Sequence, residues 1–298
     1  LAVSGLDEPW DDVMAEDLHL KSMIRRGTVL IKVVRPVNLL ITSAGVWLGA
    51  RLSDPQGIQL MLPFAIAAAV ALAAAGNAHN DWTDADKDRL NRPDRPLPAG
   101  LLERSTLLLL IAVVLAVGLV ALLFLTPLHA LVFGLNAAGL FLYNVWGSRR
   151  PLIGNLVVGA LVGSTVIFGA LETGINDRVV VAAAFAAAAT LARELVKDVQ
   201  DMEGDRAAGA RTFAVLAGGH ITGRIVNLVL GLLVPATLLP FILLDFGGTY
   251  LLGMGVTCSL LVAASPALAP DTGRSSSLLK WAMVTGTVAL LFADSPII

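Results

Sequence analysis

Apolar runs of membrane-spanning length alternate with short charged connections along most of this chain. Crossing a hydrocarbon core takes about 20 mostly apolar residues. Nine segments meet that requirement, over residues 30–50, 60–79, 105–125, 128–146, 151–170, 179–199, 221–244, 249–266 and 277–293. The pattern predicts an all-α, polytopic membrane protein with nine transmembrane helices around a central cavity. Glycines and prolines inside the runs are compatible with helix where neighbouring helices satisfy the freed backbone groups. Gly159, Gly163 and Ser164 on the fifth segment are small enough to let another helix approach closely. Residues 1–26 are acidic and then basic, which predicts a polar cytoplasmic segment ahead of one membrane domain over 27–298.

Charge changes the picture by giving it two sides. With nine helices, successive connections fall on alternate faces of the membrane. One face then holds Lys21, Arg25, Arg26, Lys32 and Arg35, followed by Lys87, Arg89, Arg92, Arg95 and Arg104. Arg149, Arg150, Arg193, Lys197, Arg206, Arg211, Arg224, Arg274 and Lys280 fall on the same face, while the other keeps Arg51 and Arg178. Lys and Arg concentrate on the cytoplasmic side of membrane proteins. The N-terminus and the basic connections are therefore expected in the cytoplasm, in a protein embedded in the cell membrane.

Composition narrows the class. The chain has 298 residues, 56% hydrophobic and 15% charged, against about 25% charged in soluble domains. A net charge of −2 offers no footprint for nucleic acid, and no obligate protein partner is evident. Cys258 is the single cysteine, which excludes an intrachain disulfide and a cysteine-based metal cluster. The first residues are acidic and lack an apolar core, so no signal peptide is expected at this end.

Two aspartate clusters carry the candidate chemistry. Asp81, Asp84 and Asp88 share the spacing Asp-x-x-Asp-x-x-x-Asp with Asp198, Asp201 and Asp205. Steps of three and four residues fall on one helical face, so each triplet forms a stripe. Each stripe extends one turn back, to Asn77 and to Glu194. Like charges at this spacing destabilise a helix, and acids near a bilayer are candidate functional groups. A cation removes the penalty. Mg²⁺ prefers oxygen ligands and is commonly held by one or two carboxylates together with substrate phosphates. Two facing stripes are thus suited to metal ions with a diphosphate between them. Either cluster alone would also fit solvated acids at a helix end. The repeated spacing on one predicted face favours the shared site.

The connection after the first cluster carries Arg89, Arg92 and Arg95 among Pro93, Pro96 and Pro98, and cannot continue as regular helix. Arg206 and Arg211 follow the second cluster. Guanidinium forks suit phosphate, and the same arginines also serve as cytoplasmic anchors.

Asn80-Asp81-x-x-Asp84-x-x-x-Asp88, followed by Arg-x-Asn-Arg-Pro-x-Arg-Pro, resembles the first signature of the UbiA superfamily of intramembrane prenyltransferases. Asp201-x-x-x-Asp205 resembles the second, and Arg35-Pro36-Val37-Asn38 a further feature near the diphosphate. The resemblance spans nearly the whole chain. It implies metal-assisted departure of diphosphate from an allylic carbon, with Mg²⁺ as cofactor and a prenyl diphosphate as donor. Asp81, Asp84, Asp88, Asp201 and Asp205 would then bind metal and diphosphate, with Asp198 on the same stripe. Arg35, Asn38, Asn77 and Asn80 would stand nearby. Lys197, Arg149 and Arg150 would meet the diphosphate or an acceptor phosphate, though membrane anchoring explains Arg149 and Arg150 equally. His79 reads as a base or as a helix-end hydrogen-bonding residue.

Within the superfamily, Pro151-Leu-Ile-Gly-Asn155, the stretch from Arg193 to Asp205 and Leu278-Leu-Lys280 are most similar to the branch that prenylates geranylgeranylglyceryl phosphate, in archaeal-type ether lipid synthesis. An aromatic quinone precursor is the alternative acceptor. An acidic-site cation transporter is the alternative of another class. Transporter sites lie on broken helices near the bilayer midplane, whereas these acids fall at helix ends.

Overall fold

The computed structural model of the protein describes residues 27–57, 59–145, 150–267 and 271–293, and among these it is entirely helical. Residues 1–26 and Arg149 lie outside the described residues. The first segment is a bent pair, α1 (Gly27–Val34) and α2 (Pro36–Ser53), meeting at 49°. The break is local chemistry. A residue before proline is pushed out of the α region, and proline at a helix start loses no intrahelical bond. Arg35 accordingly adopts φ 55 and ψ 75, a left-handed conformation rare for a residue with a side chain.

The chain continues through α3 (Leu62–Thr83), α4 (Ala85–Asn91), α5 (Arg104–Leu122), α6 (Pro127–Val145), α7 (Ile153–Ala170) and α8 (Asp177–Gln200). It ends with α9 (Met202–Ala207), α10 (Phe213–Ala217), α11 (Gly219–Ala236), α12 (Leu239–Leu243), α13 (Gly248–Ala263) and α14 (Thr272–Leu291). Each of the nine segments expected from the sequence corresponds to helix. Six helices among the described residues are long and apolar enough to cross a membrane, or seven with the bent pair as one span. Of the remaining two, α13 has 16 residues, and α14 opens on Thr272, Arg274, three serines and Lys280.

The expected 221–244 helix is interrupted. Pro235 and Pro240 break it between α11 and α12, and the hydroxyl of Tyr250 donates to the freed carbonyl of Thr237 at 2.7 Å.

Close helix contact positions the bundle. A Cβ at Gly49 would strike the Val166 carbonyl, and one at Gly169 would strike the Val46 carbonyl, so α2 and α7 touch backbone to backbone. Gly159 and Gly163 make the same kind of approach to α8, where an added Cβ would lie 2.9 Å from the Ala187 carbonyl oxygen and 2.7 Å from that of Ala183 respectively. Ser164 does something else: its hydroxyl donates to Asn136 Oδ1 at 3.0 Å. At the end of the bundle away from the aspartates, Asn176 caps α8 through Val179 N–H and also holds the Leu52 carbonyl at 2.9 Å. Glu172 accepts from Met61 N–H at 3.3 Å just ahead of α3.

Candidate active site

Helix α3 carries the first cluster to the edge of the bundle and kinks there. Asp81 is its last aspartate, Asp84 is the linking residue with φ −93 and ψ 7, and Asp88 stands on α4. The second cluster repeats this form. Asp198 is on α8, Asp201 links with φ −92 and ψ 1, and Asp205 is on α9. Each stripe was expected on one helical face, and the helix under each is kinked at the middle aspartate. The stripes survive because backbone bonds cross each kink. Asp84 N–H reaches the Asn80 carbonyl at 2.9 Å and Asp88 N–H reaches that of Asp84 at 2.8 Å. Asp201 N–H and Asp205 N–H bond four residues back in the same way, both at 2.9 Å.

The two clusters face each other. Helices α4 and α9 pack together, and Arg92 crosses between them to donate to both carboxylate oxygens of Asp201, at 2.9 and 3.1 Å. Arg95 pairs with Asp88 and lies 3.3 Å from Asp81. Arg35 pairs with Asp81 and donates to Asn80 Oδ1 at 3.3 Å, while Asn80 Nδ2 donates to Asp84 at 2.7 Å. The left-handed backbone at Arg35 costs about 1–2 kcal/mol, and these two partners on α3 hold its side chain in place. Asn77 donates to the Val34 carbonyl at 2.9 Å, which caps the broken end of α1. Asn155 Nδ2 donates to Asp198 at 2.9 Å and so orients that carboxylate. Asp81, Asp88 and Asp205 are buried. Burial pushes the Asp88 carboxyl up from its ordinary pKa, against the opposing pull of Arg95.

Below the clusters lies a cavity of about 460 Å³. Arg35, Asn38, Asn77, Asn80, Arg92 and Arg95 line its mouth, and Arg193, Glu194, Lys197 and Lys280 also face it. Its other walls are apolar, with Leu72, Phe133, Leu161 and Phe168 among them. A smaller apolar cavity of about 70 Å³ shares Ile41, Val162, Thr165 and Met283 with the first. The shape is amphipathic, charged at one end and oily at the other.

Some expected site residues stand apart from this cavity. Arg150 is exposed and does not line it. His79 does not line it either; its ring accepts from Asn144 Nδ2 at 2.9 Å and stacks on Phe141. Lys197 is on the wall, but its ammonium is taken by both oxygens of Glu194, at 2.8 and 3.1 Å. Thr190, Arg193 and Lys280 line the cavity without having been singled out as site residues. Thr190, Arg193 and Lys197 recur at helical spacing on α8, a signal present in the sequence but masked by the louder aspartates.

A metal ion fits the donor chemistry here, since the clusters offer hard carboxylate oxygens. Among the described residues no three His, Cys, Asp or Glu side chains converge tightly enough to enclose one. Arginines pair with Asp81, Asp88 and Asp201, while asparagine amides hold Asp84 and Asp198.

The model of the UbiA prenyltransferase family matches residues 38–292. A digeranylgeranylglyceryl phosphate synthase from Natronomonas pharaonis is 35% identical over 270 residues, covering 88% of this chain and 95% of that protein. A solved structure concerned with digeranylgeranylglyceryl phosphate synthase in membranes aligns with a TM-score of 0.71 at 28% identity, over 90% of this chain and 98% of that one. A UbiA homologue from Archaeoglobus fulgidus, solved bound to GPP and Mg²⁺, shares the fold with a TM-score of 0.61 at 16% identity, over 88% and 99% of the two chains.

Proposed function

The chain belongs to the UbiA prenyltransferase family and is an integral membrane prenyltransferase, and from that premise we propose that it transfers a geranylgeranyl group from its diphosphate to the free hydroxyl of geranylgeranylglyceryl phosphate. The observation that carries this reading is the pair of aspartate clusters facing each other over an amphipathic cavity. The relatives named as digeranylgeranylglyceryl phosphate synthases support the choice of acceptor. Membership of the family sets aside the cation-transporter alternative.

In this reading Asp81, Asp84, Asp88, Asp201 and Asp205 hold Mg²⁺, and Asp198 is kept in line by Asn155. Mg²⁺ supplies neutralisation of the charge that develops on the departing diphosphate. Arg92 and Arg95 exchange their carboxylate partners for phosphate oxygens, for which a guanidinium fork is well shaped. Arg35, held on Asn80 and Asp81, keeps its charge at the mouth beside Asn38, while Asn77 fixes the α1 break beneath them. The apolar walls take the prenyl tail and exclude water from its reactive carbon. The bond from that carbon to the diphosphate oxygen breaks, the acceptor hydroxyl oxygen forms the new ether bond, and the hydroxyl proton passes to the released diphosphate.

The topology belongs to the same proposal. Helices α13 and α14 complete nine crossings around the cavity, with the aspartate end in the cytoplasm, in one domain over 27–298. The direct test is an acceptor panel. Membranes containing the chain are given geranylgeranyl diphosphate with either geranylgeranylglyceryl phosphate or a hydroxylated aromatic acid, in Mg²⁺ or EDTA. Ether product from the glycerol-phosphate lipid in Mg²⁺, and its loss in EDTA, is expected. Prenylation of the aromatic acid alone would overturn the reading.

A further inference from the structure

The cavity wall formed by α8 and α14 carries more positive charge than it neutralises. Arg193 donates to Glu194 at 3.0 Å, and Lys197 takes both oxygens of the same carboxylate. One negative charge is thus shared between two cations. Lys280, on α14 where it packs along α8, makes no hydrogen bond or ion pair among the described residues. The charges of Arg193, Lys197 and Arg92 repel it, and that of Glu194 attracts it. Counting Arg193, Lys197 and Lys280 against Glu194 leaves this wall at a formal +2.

Two buried donors beside that charge are also unspent. The Thr190 residue is 3% exposed, and its hydroxyl has no hydrogen-bond partner. The Nε of Arg193 is buried and unpartnered as well. A buried polar group without a partner is costly, and a threonine inside a helix usually bonds a carbonyl one turn back. Both residues line the cavity with Lys280. A wall with a net positive charge, and two residues on it that carry unpartnered donors, describe a place for an anion with several oxygens.

That place is distinct from the metal clusters. Arg193 precedes Asp198, the first aspartate of its cluster, by five residues and Asp201 by eight, about 7.5 and 12 Å along a helix at 1.5 Å per residue. The wall therefore sits deeper in the bundle than the clusters that would take the diphosphate. A glycerol-phosphate acceptor needs this arrangement. Its nucleophilic hydroxyl must reach the prenyl carbon on the inner side of the diphosphate, and its phosphate lies within two carbons of that hydroxyl. Two phosphates in one low-dielectric cavity repel unless each has its own cations.

We propose that Lys280 and Arg193, with Thr190 beside them on α8, form a second anion subsite that holds the phosphate of the lipid acceptor. The assignment rests on the acceptor proposed above. It replaces Lys197, Arg149 and Arg150 as the phosphate anchors: Lys197 keeps Glu194 in place, and Arg150 lies off the cavity.

Two measurements on the full chain in nanodiscs separate this subsite from the choice of acceptor. Binding of dodecyl phosphate in EDTA reports the subsite without turnover or metal. Lys280→Met and Arg193→Met should each weaken it tenfold or more, and Lys280→Arg should restore most of it. Thr190→Val, nearly isosteric, should weaken binding severalfold without lowering Tm, which covers the case where a charge variant misfolds. Steady-state kinetics then read the substrate. Lys280→Met should raise KM for geranylgeranylglyceryl phosphate at least tenfold and leave KM for geranylgeranyl diphosphate within twofold. Unchanged dodecyl phosphate affinity in all three variants overturns the subsite. A selective rise in KM for the diphosphate assigns these cations to the donor instead and overturns the proposal. If the wild type binds dodecyl phosphate through these residues yet prenylates no glycerol-phosphate lipid, the acceptor assignment is wrong.

Discussion

Asp81 and Asp84 stand one turn apart, yet substitution should affect them differently. The Asp81 side chain is 6% exposed and meets the guanidinium groups of both Arg35 and Arg95. Removing one member of a buried pair leaves charge uncompensated, at a cost of about 3–5 kcal/mol. Asp84 is half-buried, and the neutral amide of Asn80 donates to it. Asp81→Ala should therefore lower Tm in detergent as well as abolish turnover. Asp84→Ala should lower turnover at least a hundredfold with Tm little changed. Equal loss of Tm in both would mean the Arg35 pairing carries no stability. The aspartates themselves were legible in the sequence, because like charges at helical spacing ask for a cation. Their arginine partners were legible only as a class. Which fork meets which carboxylate depends on the loop after α4 folding back, and that is a tertiary outcome.

The elements follow from apolar length and from proline. All nine runs became helix, and the breaks at Pro36, Pro235 and Pro240 fall where ring geometry demands them. The kinks at Asp84 and Asp201 carry no proline or glycine, so no residue marks them in advance. Helix partners were only partly legible. Gly159 and Gly163 announced a close contact, and Gly45-x-x-x-Gly49 on α2 has the same spacing without having been singled out; Gly169 is the one whose contact no such pair marks. Gly49 and Gly169 should be the more sensitive. Gly169→Ala places a methyl against the Val46 carbonyl, and overpacking of this kind typically costs about 1–3 kcal/mol. Gly134→Ala on α6 meets no atom within 4 Å and should be neutral or stabilising by about 0.4–1 kcal/mol. Thermal melts of the two variants in the same detergent check the contrast.

At the scale of the whole molecule, the two ends of the bundle differ in chemistry. One end gathers the aspartates and the arginine-rich connections. At the other, Ser53 and Thr173 hydroxyls meet at 2.6 Å, and Asn176 ties the start of α8 to the end of α2. This polarity was legible as charge asymmetry, since Arg51 and Arg178 alone broke the one-sided pattern. The count of crossings was less secure from apolar length, because α13 is short and α14 begins polar. Site-directed labelling decides both questions. Cys258 would first be replaced by Ser, and single cysteines then placed at the exposed positions Asp94, Ala208, Gln56 and Ile175. An impermeant maleimide added to sealed inside-out vesicles should label the Asp94 and Ala208 positions and spare the Gln56 and Ile175 positions. Right-side-out vesicles should give the reverse. Diphosphate chemistry between two clusters requires that both be wetted from one side, because a charged donor made in the cytoplasm cannot reach a carboxylate across the hydrocarbon core. Labelling of the Asp94 and Ala208 positions from opposite sides would therefore remove the shared site along with the topology.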